Sequence, residues 1–328
     1  MVRKLTFWFV SGLEWVGFNL ARFGERVLPQ SVLSFLLWPP AVVWALTELH
    51  RPRKLLASWH RFPGEWRPGR AQLLLRQSLG LTHARFVYLW PDRLPDQRWL
   101  TRCRFEGDCD LAQLRRADRR IIFVSLHLGP FETLAYWLRA NRIVLTALVG
   151  QRGPRQWLSD RQSALTAPAN VSVVIPVSQV GLIRKVLGDG RRLLVWMDVD
   201  RGKQIQVPFE NHLFRMATGP IRLAAMTDAE LIPCLIVETR PWHFVIHFGT
   251  PVPERYLGSS TNLKPAAAHL LKEFLPIVSR YPSQSGYRLA SCITPMNADE
   301  SAALRYPEVA YSSSRENSVV VTGLGDQD

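Results

Sequence analysis

Cysteine, lysine and long apolar runs are all scarce in this 328-residue chain, and each scarcity removes a class of protein. The four cysteines, Cys103, Cys109, Cys234 and Cys292, form no C-x-x-C pair and no dense array. That excludes a zinc ribbon and a disulfide-stapled scaffold, and a reducing compartment is the expectation. Eight histidines are scattered without an H-E-x-x-H pair, so no metal and no other cofactor is expected. There is no G-x-S-x-G elbow to present a serine nucleophile, no internal repeat, and no RNA-recognition, zinc-finger or helix-turn-helix signature. Nucleic acid is therefore not an expected partner, and no feature speaks to oligomeric state.

What is present is a folded composition, 47% hydrophobic and 21% charged, with a strong excess of positive charge. The formal net charge is +14, and only six of the 41 basic residues are lysine. An arginine-rich surface calls for an anionic partner, either an acidic lipid or a phosphorylated ligand. The charge is uneven: residues 1–120 carry +10, residues 121–295 carry +8 and residues 296–328 carry −4. The last segment, ending YSSSRENSVVVTGLGDQD, is acidic, serine-rich and aperiodic, and is expected to be a flexible tail.

Two N-terminal stretches are apolar. Residues 1–10 (MVRKLTFWFV) resemble the start of a signal sequence, but Glu14 interrupts the run and no small-residue cleavage site follows. Residues 32–46 (VLSFLLWPPAVVWAL) are uncharged, yet they fall short of the ~20 residues of a spanning helix and Pro39-Pro40 divides them. Trp8, Trp15, Trp38 and Trp44 lie along these stretches, and Arg3, Lys4, Arg22, Arg26, Arg51, Arg53 and Lys54 flank them. Aromatic residues beside apolar runs with basic edges suit an anionic membrane interface. The expectation is a peripheral or monotopic segment over residues 1–54, ahead of two ordinary core helices and of a true span.

From residue 121 the pattern becomes short β-rich runs separated by helical ones. Strands are expected at 121–128, 144–150, 171–177, 192–199, 205–209, 230–238 and 243–249, and helices at 131–142, 179–188, 217–227 and 264–280. Residues 55–118 read as mostly helical. The alternation predicts an α/β domain over residues 55–295, with a mixed, mainly parallel central sheet flanked by helices, and the tail over 296–328.

The most informative segment is Ser125-Leu-His127-Leu-Gly-Pro-Phe-Glu132. An apolar strand delivers His127 at its carboxyl end, Gly129-Pro130 turns the chain, and Glu132 enters the first turn of a helix. A carboxylate folded back on the imidazole can accept its Nδ1 proton and leave Nε2 free to deprotonate a hydroxyl. With no serine elbow, the hydroxyl can be the substrate's own, attacking a thioester directly. The bland alternative is a core histidine and a glutamate favoured by the helix dipole.

The H-x4-E turn at the end of a buried strand resembles the H-x4-[DE] motif of the glycerolipid acyltransferase superfamily. Its setting is most similar to the late acyltransferases of lipid A biosynthesis. Three further segments match in order: Val195-Trp-Met-Asp198-Val-Asp200-Arg201-Gly202, Val207-Pro208-Phe209 and Ala217-Thr218-Gly219-Pro220. The resemblance implies an O-acyltransferase at the cytoplasmic face of a bacterial inner membrane. It would move a fatty acyl chain from acyl carrier protein or coenzyme A to a hydroxyl of a lipid A-like glycolipid or phospholipid. His127 would be the general base, oriented by Glu132.

Arg152, Arg155 and Arg201 are candidates for a phosphate on the acceptor or on the pantetheine carrier. Asp198 and Asp200 are expected to orient the acceptor or to pair with Arg201, and Thr218 and Gly219 to cradle a phosphate at a helix start. Two other readings compete. Asp198-Val-Asp200 is a D-x-D that a metal-dependent glycosyltransferase would use on a nucleotide sugar, and the basic, apolar N-terminus would serve a non-enzymatic membrane-binding protein.

Overall fold

The computed structural model describes residues 32, 50–64, 67–88, 101–107, 109–116, 118–143, 145–149, 174–176, 180–189, 192–199, 202–240, 243–258 and 263–296. In chain order these form α1 (His50–Ser58), α2 (Arg70–Tyr88), β1 (Cys103–Gly107), α3 (Leu111–Arg115), β2 (Ile121–Ser125), α4 (Glu132–Ala140), β3 (Leu145–Val149), β4 (Val174–Pro176) and α5 (Val180–Gly188). They continue with β5 (Arg192–Trp196), β6 (Gln204–Phe209), β7 (His212–Ala217), α6 (Gly219–Thr227), β8 (Glu230–Arg240), β9 (His243–Phe248), α7 (Lys264–Arg280), α8 (Tyr287–Cys292) and β10 (Ile293–Pro295). All of these elements belong to one compact unit ending at Pro295. The apolar stretches before residue 50, apart from Val32, and the tail beyond residue 296 lie outside the described residues. Among the described residues no helix is long and apolar enough to cross a membrane.

Seven strands make the central sheet in the order β1-β9-β8-β2-β5-β3-β4. Every neighbouring pair is parallel except β8 with β9, which run antiparallel, so the sheet is mixed and mainly parallel. β2 consists of Ile121-Ile122-Phe123-Val124-Ser125, all fully buried. β-Branched and aromatic residues favour the extended backbone, and burial on both faces removes any need for polar alternation.

Successive β2 side chains divide between two cores. Ile122 and Val124 join α5, α6 and α7 residues such as Leu187, Ile221 and Phe274 on one face. Ile121 and Phe123 join Leu134, Trp137 and Leu138 of α4 on the other. β8 divides in the same way, with Leu231, Leu235 and Val237 on the first face and Ile232, Cys234 and Ile236 on the second. This is the two-residue period of a strand sandwiched between helical layers. Each buried Leu, Ile or Phe contributes about 1.5–3 kcal/mol, so β2 and β8 are firmly anchored between the two cores. Phe105, Phe123, Trp137 and Phe248 form a ring cluster that clamps α4 to the sheet, with centroids 5.5–5.8 Å apart.

Three features depart from the sequence expectations. Residues 55–118 are not all helical, because β1 lies within them as an edge strand paired with β9. The Pro-Phe strand β6 is not in the central sheet; it pairs antiparallel with β7, and β10 completes a separate three-stranded sheet. The expected strand over 121–128 stops at Ser125, which places His127 in the turn beyond it. A smaller point concerns α1, which runs through residue 54, where the sequence reading divides the N-terminal segment from the domain.

Candidate active site

The topology makes a crevice at one place. β2 leads through α4 to β3 on one side of the β2–β5 pair, whereas β5 leads through β6, β7 and α6 to β8 on the other. The chain therefore leaves the carboxyl ends of two adjacent parallel strands in opposite directions, the arrangement at which open α/β sheets bind ligands. His127 follows β2 and Asp198 follows β5.

These two residues are joined. His127 Nδ1 lies 2.7 Å from Asp198 Oδ1, and the His127 backbone N–H donates to Asp198 Oδ2 at 2.9 Å. The Asp198 side chain is 0% exposed and that of His127 is 15% exposed. A carboxylate holding both the backbone and the ring of one histidine fixes its tautomer, with the proton on Nδ1 and the Nε2 lone pair free. Among the described residues Nε2 has no hydrogen-bond partner, and it sits on the less buried side of the pair.

From the sequence, Glu132 is the expected partner of Nδ1, and Asp198 is expected to orient the acceptor or to pair with Arg201. In the structure the carboxylate oxygen at Nδ1 is that of Asp198. Both Asp198 oxygens are thus engaged by His127, and the side chain has no exposure. Glu132 opens α4, as expected, but its side chain is outside the described set. Arg152, Arg155, Asp200 and Arg201 also lie outside the described residues. Thr218 is buried and its hydroxyl donates to the Lys203 carbonyl, with its backbone N–H on the same oxygen, while Gly219 is the first residue of α6.

The turn bearing His127 is held by a segment that sequence reasoning missed. Gly129 N–H donates to the Gln284 carbonyl at 2.9 Å, Gly286 N–H donates to the His127 carbonyl at 3.1 Å, and Leu128 bridges to Ser285. The buried Gln284 amide spans the Glu238 backbone, accepting from its N–H at 2.9 Å and donating to its carbonyl at 2.7 Å. Gly129 is required on two counts: its φ is +58°, and a Cβ there would meet the Ile236 carbonyl oxygen at 2.7 Å and Gln284 Oε1 at 2.8 Å. Gln284 had no motif around it to mark it in the sequence.

Aromatic side chains form the walls. Phe131 meets the His127 ring edge-on at 4.5 Å between centroids, and Trp196 lies 5.8 Å from both. The Trp196 indole N–H is buried with no acceptor among the described residues, and an unmet donor of this kind is uncommon in a folded interior. Neither the half-buried Cys103 nor the buried Cys234 competes as a nucleophile, because desolvation pushes both thiols well above the ordinary cysteine range. Among the described residues no cluster of His, Cys, Asp and Glu is arranged to hold a metal.

No protein-family model and no curated protein sequence matches the chain. Among solved structures, the 1-acyl-sn-glycerophosphate acyltransferase PlsC from Thermotoga maritima is similar, with a TM-score of 0.35 and 10% identity over 58% of this chain and 80% of that one. At so loose an overlap, the geometry around His127 has to carry the functional reading.

Proposed function

We propose that the chain is an O-acyltransferase, in which His127 removes the proton of an acceptor hydroxyl and that oxygen attacks the thioester carbonyl of an acyl donor. The observation that carries the reading is the His127–Asp198 pair at the crevice between β2 and β5, with Nε2 unengaged and no serine or cysteine bonded to it among the described residues. A base with no enzyme nucleophile beside it suits direct attack by a substrate hydroxyl.

Nε2 takes the hydroxyl proton, the acceptor oxygen bonds to the carbonyl carbon, and the resulting oxyanion collapses with breakage of the C–S bond. The departing thiolate receives the proton back from Nε2, so an ester and a free thiol result. Donors to the oxyanion would come from the N–H groups at the start of α4, around Phe131 and Glu132. Phe131 and Trp196 would keep water from the ring of His127.

The donor would be acyl carrier protein or coenzyme A, and the acceptor a hydroxyl of a lipid A-like glycolipid or a phospholipid. The apolar, arginine-flanked segment 1–54 would seat the enzyme on the cytoplasmic face of a bacterial inner membrane. Glu132, Arg152, Arg155, Asp200 and Arg201 remain candidates for contacts with either substrate. The test is acyl transfer from labelled acyl carrier protein or acyl-coenzyme A to a total bacterial lipid extract. A labelled lipid that disappears in His127→Ala and persists with chelator is the expected result. Absence of product from every donor, with membrane binding intact, would refute the reading in favour of a binding role.

A further inference from the structure

The strand next to β2 outruns it. β8 extends from Glu230 to Arg240, whereas its pairing with β2 ends at Val124 and Pro233. Past Pro233 that edge of β8 has no strand on it among the described residues, yet the Ile236 carbonyl and the Glu238 peptide face it. Buried peptide groups need a partner, and here it has to come from outside the sheet.

The segment between α7 and α8 supplies one. The Gln284 side-chain amide pairs with the Glu238 peptide as a neighbouring strand would, with one hydrogen bond in each direction. The backbone of the same segment pairs with the turn that bears His127. Gly129 N–H donates to the Gln284 carbonyl, Gly286 N–H donates to the His127 carbonyl, and Leu128 faces Ser285 between them. Those are the two bonds of an antiparallel bridge, so residues 127–129 form one side of a minimal ladder and residues 284–286 the other.

The second side is anchored. Gln284 ties it to β8, Ser285 is fully buried, and Gly286 leads into α8, whose Leu289 and Ala290 are fully buried in the core. A disturbance within the ladder is therefore passed to His127 rather than to β8.

Gly286 is the closest point of the ladder. Its φ of −76° and ψ of 165° suit any residue, so the backbone conformation does not demand glycine. Space does. A Cβ there would meet the His127 carbonyl oxygen at 3.0 Å, Gln77 Nε2 of α2 at 3.3 Å and the His127 Cβ at 3.7 Å. A methyl group enters only if its neighbours give by a few tenths of an ångström.

We propose that Gln284 and Gly286 are positioning residues for His127. Gln284 fixes the segment to β8, Gly286 lets the His127 backbone close on it, and together they set where Nε2 meets the acceptor hydroxyl. The proton transfer rests on the acyl-transfer reading, whereas the placement of the ring does not.

The experiment compares the full chain in neutral detergent with Gly286→Ala, Gly286→Ala/Gln77→Ala and Gln284→Met. Each is measured for acyl transfer, for thermal unfolding and for the ring-nitrogen NMR shifts of His127, assigned by their loss in His127→Ala. A misplacement of about 1 Å can cost about a hundredfold in rate. Gly286→Ala should therefore lower kcat by about five- to tenfold, with KM and melting temperature unchanged, and shift the His127 ring from the Nδ1-protonated form towards a mixture of tautomers. Removing Gln77 as well should restore nothing, because the His127 carbonyl is the nearer neighbour. Gln284→Met keeps the side-chain length but loses both bonds to Glu238, so it should lower kcat by about tenfold or more and also melt earlier. The proposal is overturned if Gly286→Ala transfers at the wild-type rate or leaves the ring shifts unchanged, if the double variant recovers, or if kcat falls only in step with melting. Absence of transfer by the wild type would sink the acyl-transfer reading alone. The ring shifts would still decide the placement, and unchanged shifts in Gly286→Ala and Gln284→Met would refute it.

Discussion

Replacing Asp198 by asparagine is the sharpest test of the site. The carboxylate accepts two hydrogen bonds from His127, one from the backbone N–H and one at Nδ1, and its side chain has no exposure. An asparagine of the same shape can keep its carbonyl on the backbone N–H. Its amide then faces Nδ1 as a donor, which drives the ring proton to Nε2 and removes the lone pair that the mechanism needs. In Ser-His-Asp enzymes the equivalent change lowers turnover by about 10⁴, and a fall of about 10³–10⁴ in acyl transfer is expected here. Stability should drop by only about 1.5–3 kcal/mol, the worth of a charge-assisted hydrogen bond. Alanine would leave two donors of a buried loop unmet and confuse activity with folding. The assay is initial-rate transfer of labelled acyl groups, with thermal unfolding of the same preparation. Transfer within about tenfold of wild type in a folded Asp198→Asn, or a comparable loss in Glu132→Gln alone, would refute the assignment of Asp198.

Further outcomes follow from the same geometry. Gly129→Ala must hold a side chain at φ +58° against the Ile236 carbonyl; a loss of about 1–3 kcal/mol in stability is expected, with transfer reduced because His127 shifts, and an unchanged melting temperature would contradict the geometry. His212 and His247 are held below the ordinary histidine value mainly by burial, so the folded chain binds fewer protons than the unfolded one just below that value. Stability should therefore be flat above about pH 7 and fall as pH drops through the unfolded histidine value of about 6.5, until the lower folded values are passed; denaturant midpoints at pH 7.5, 6 and 5 would show it, and a rise on acidification would be incompatible. Cys234, buried and with its thiol pushed up, should resist iodoacetamide at pH 8 in the native chain and react once it is unfolded, as mass spectrometry of the labelled peptide would reveal.

Local pattern was enough for much of the architecture. The apolar runs of β2, β5 and β8 are legible because strands buried on both faces need no polar residues. The helices α4, α5 and α7 were located to within one or two residues by their apolar spacing and turn residues. The less apolar elements were not. β1, Cys-Arg-Phe-Glu-Gly, is a half-exposed edge strand whose charges hide its periodicity. β7 carries His212 and Arg215, and only its pairing with β6 and β10 makes it a strand.

At the site, the sequence singled out His127, because a histidine after an apolar strand and before a Gly-Pro turn is a local signal. It could not choose among the carboxylates. Glu132 is five residues away along the chain, whereas the Asp198 that reaches Nδ1 is 71 residues away and arrives only because β5 lies beside β2 in parallel register. Gln284, farther still, braces the turn through the backbone of β8. Side-chain period and turn chemistry are properties of neighbouring residues, and the sequence by itself determines them. Which carboxylate holds a histidine depends on strand order and helix docking, and those are decided by burial of the whole sheet.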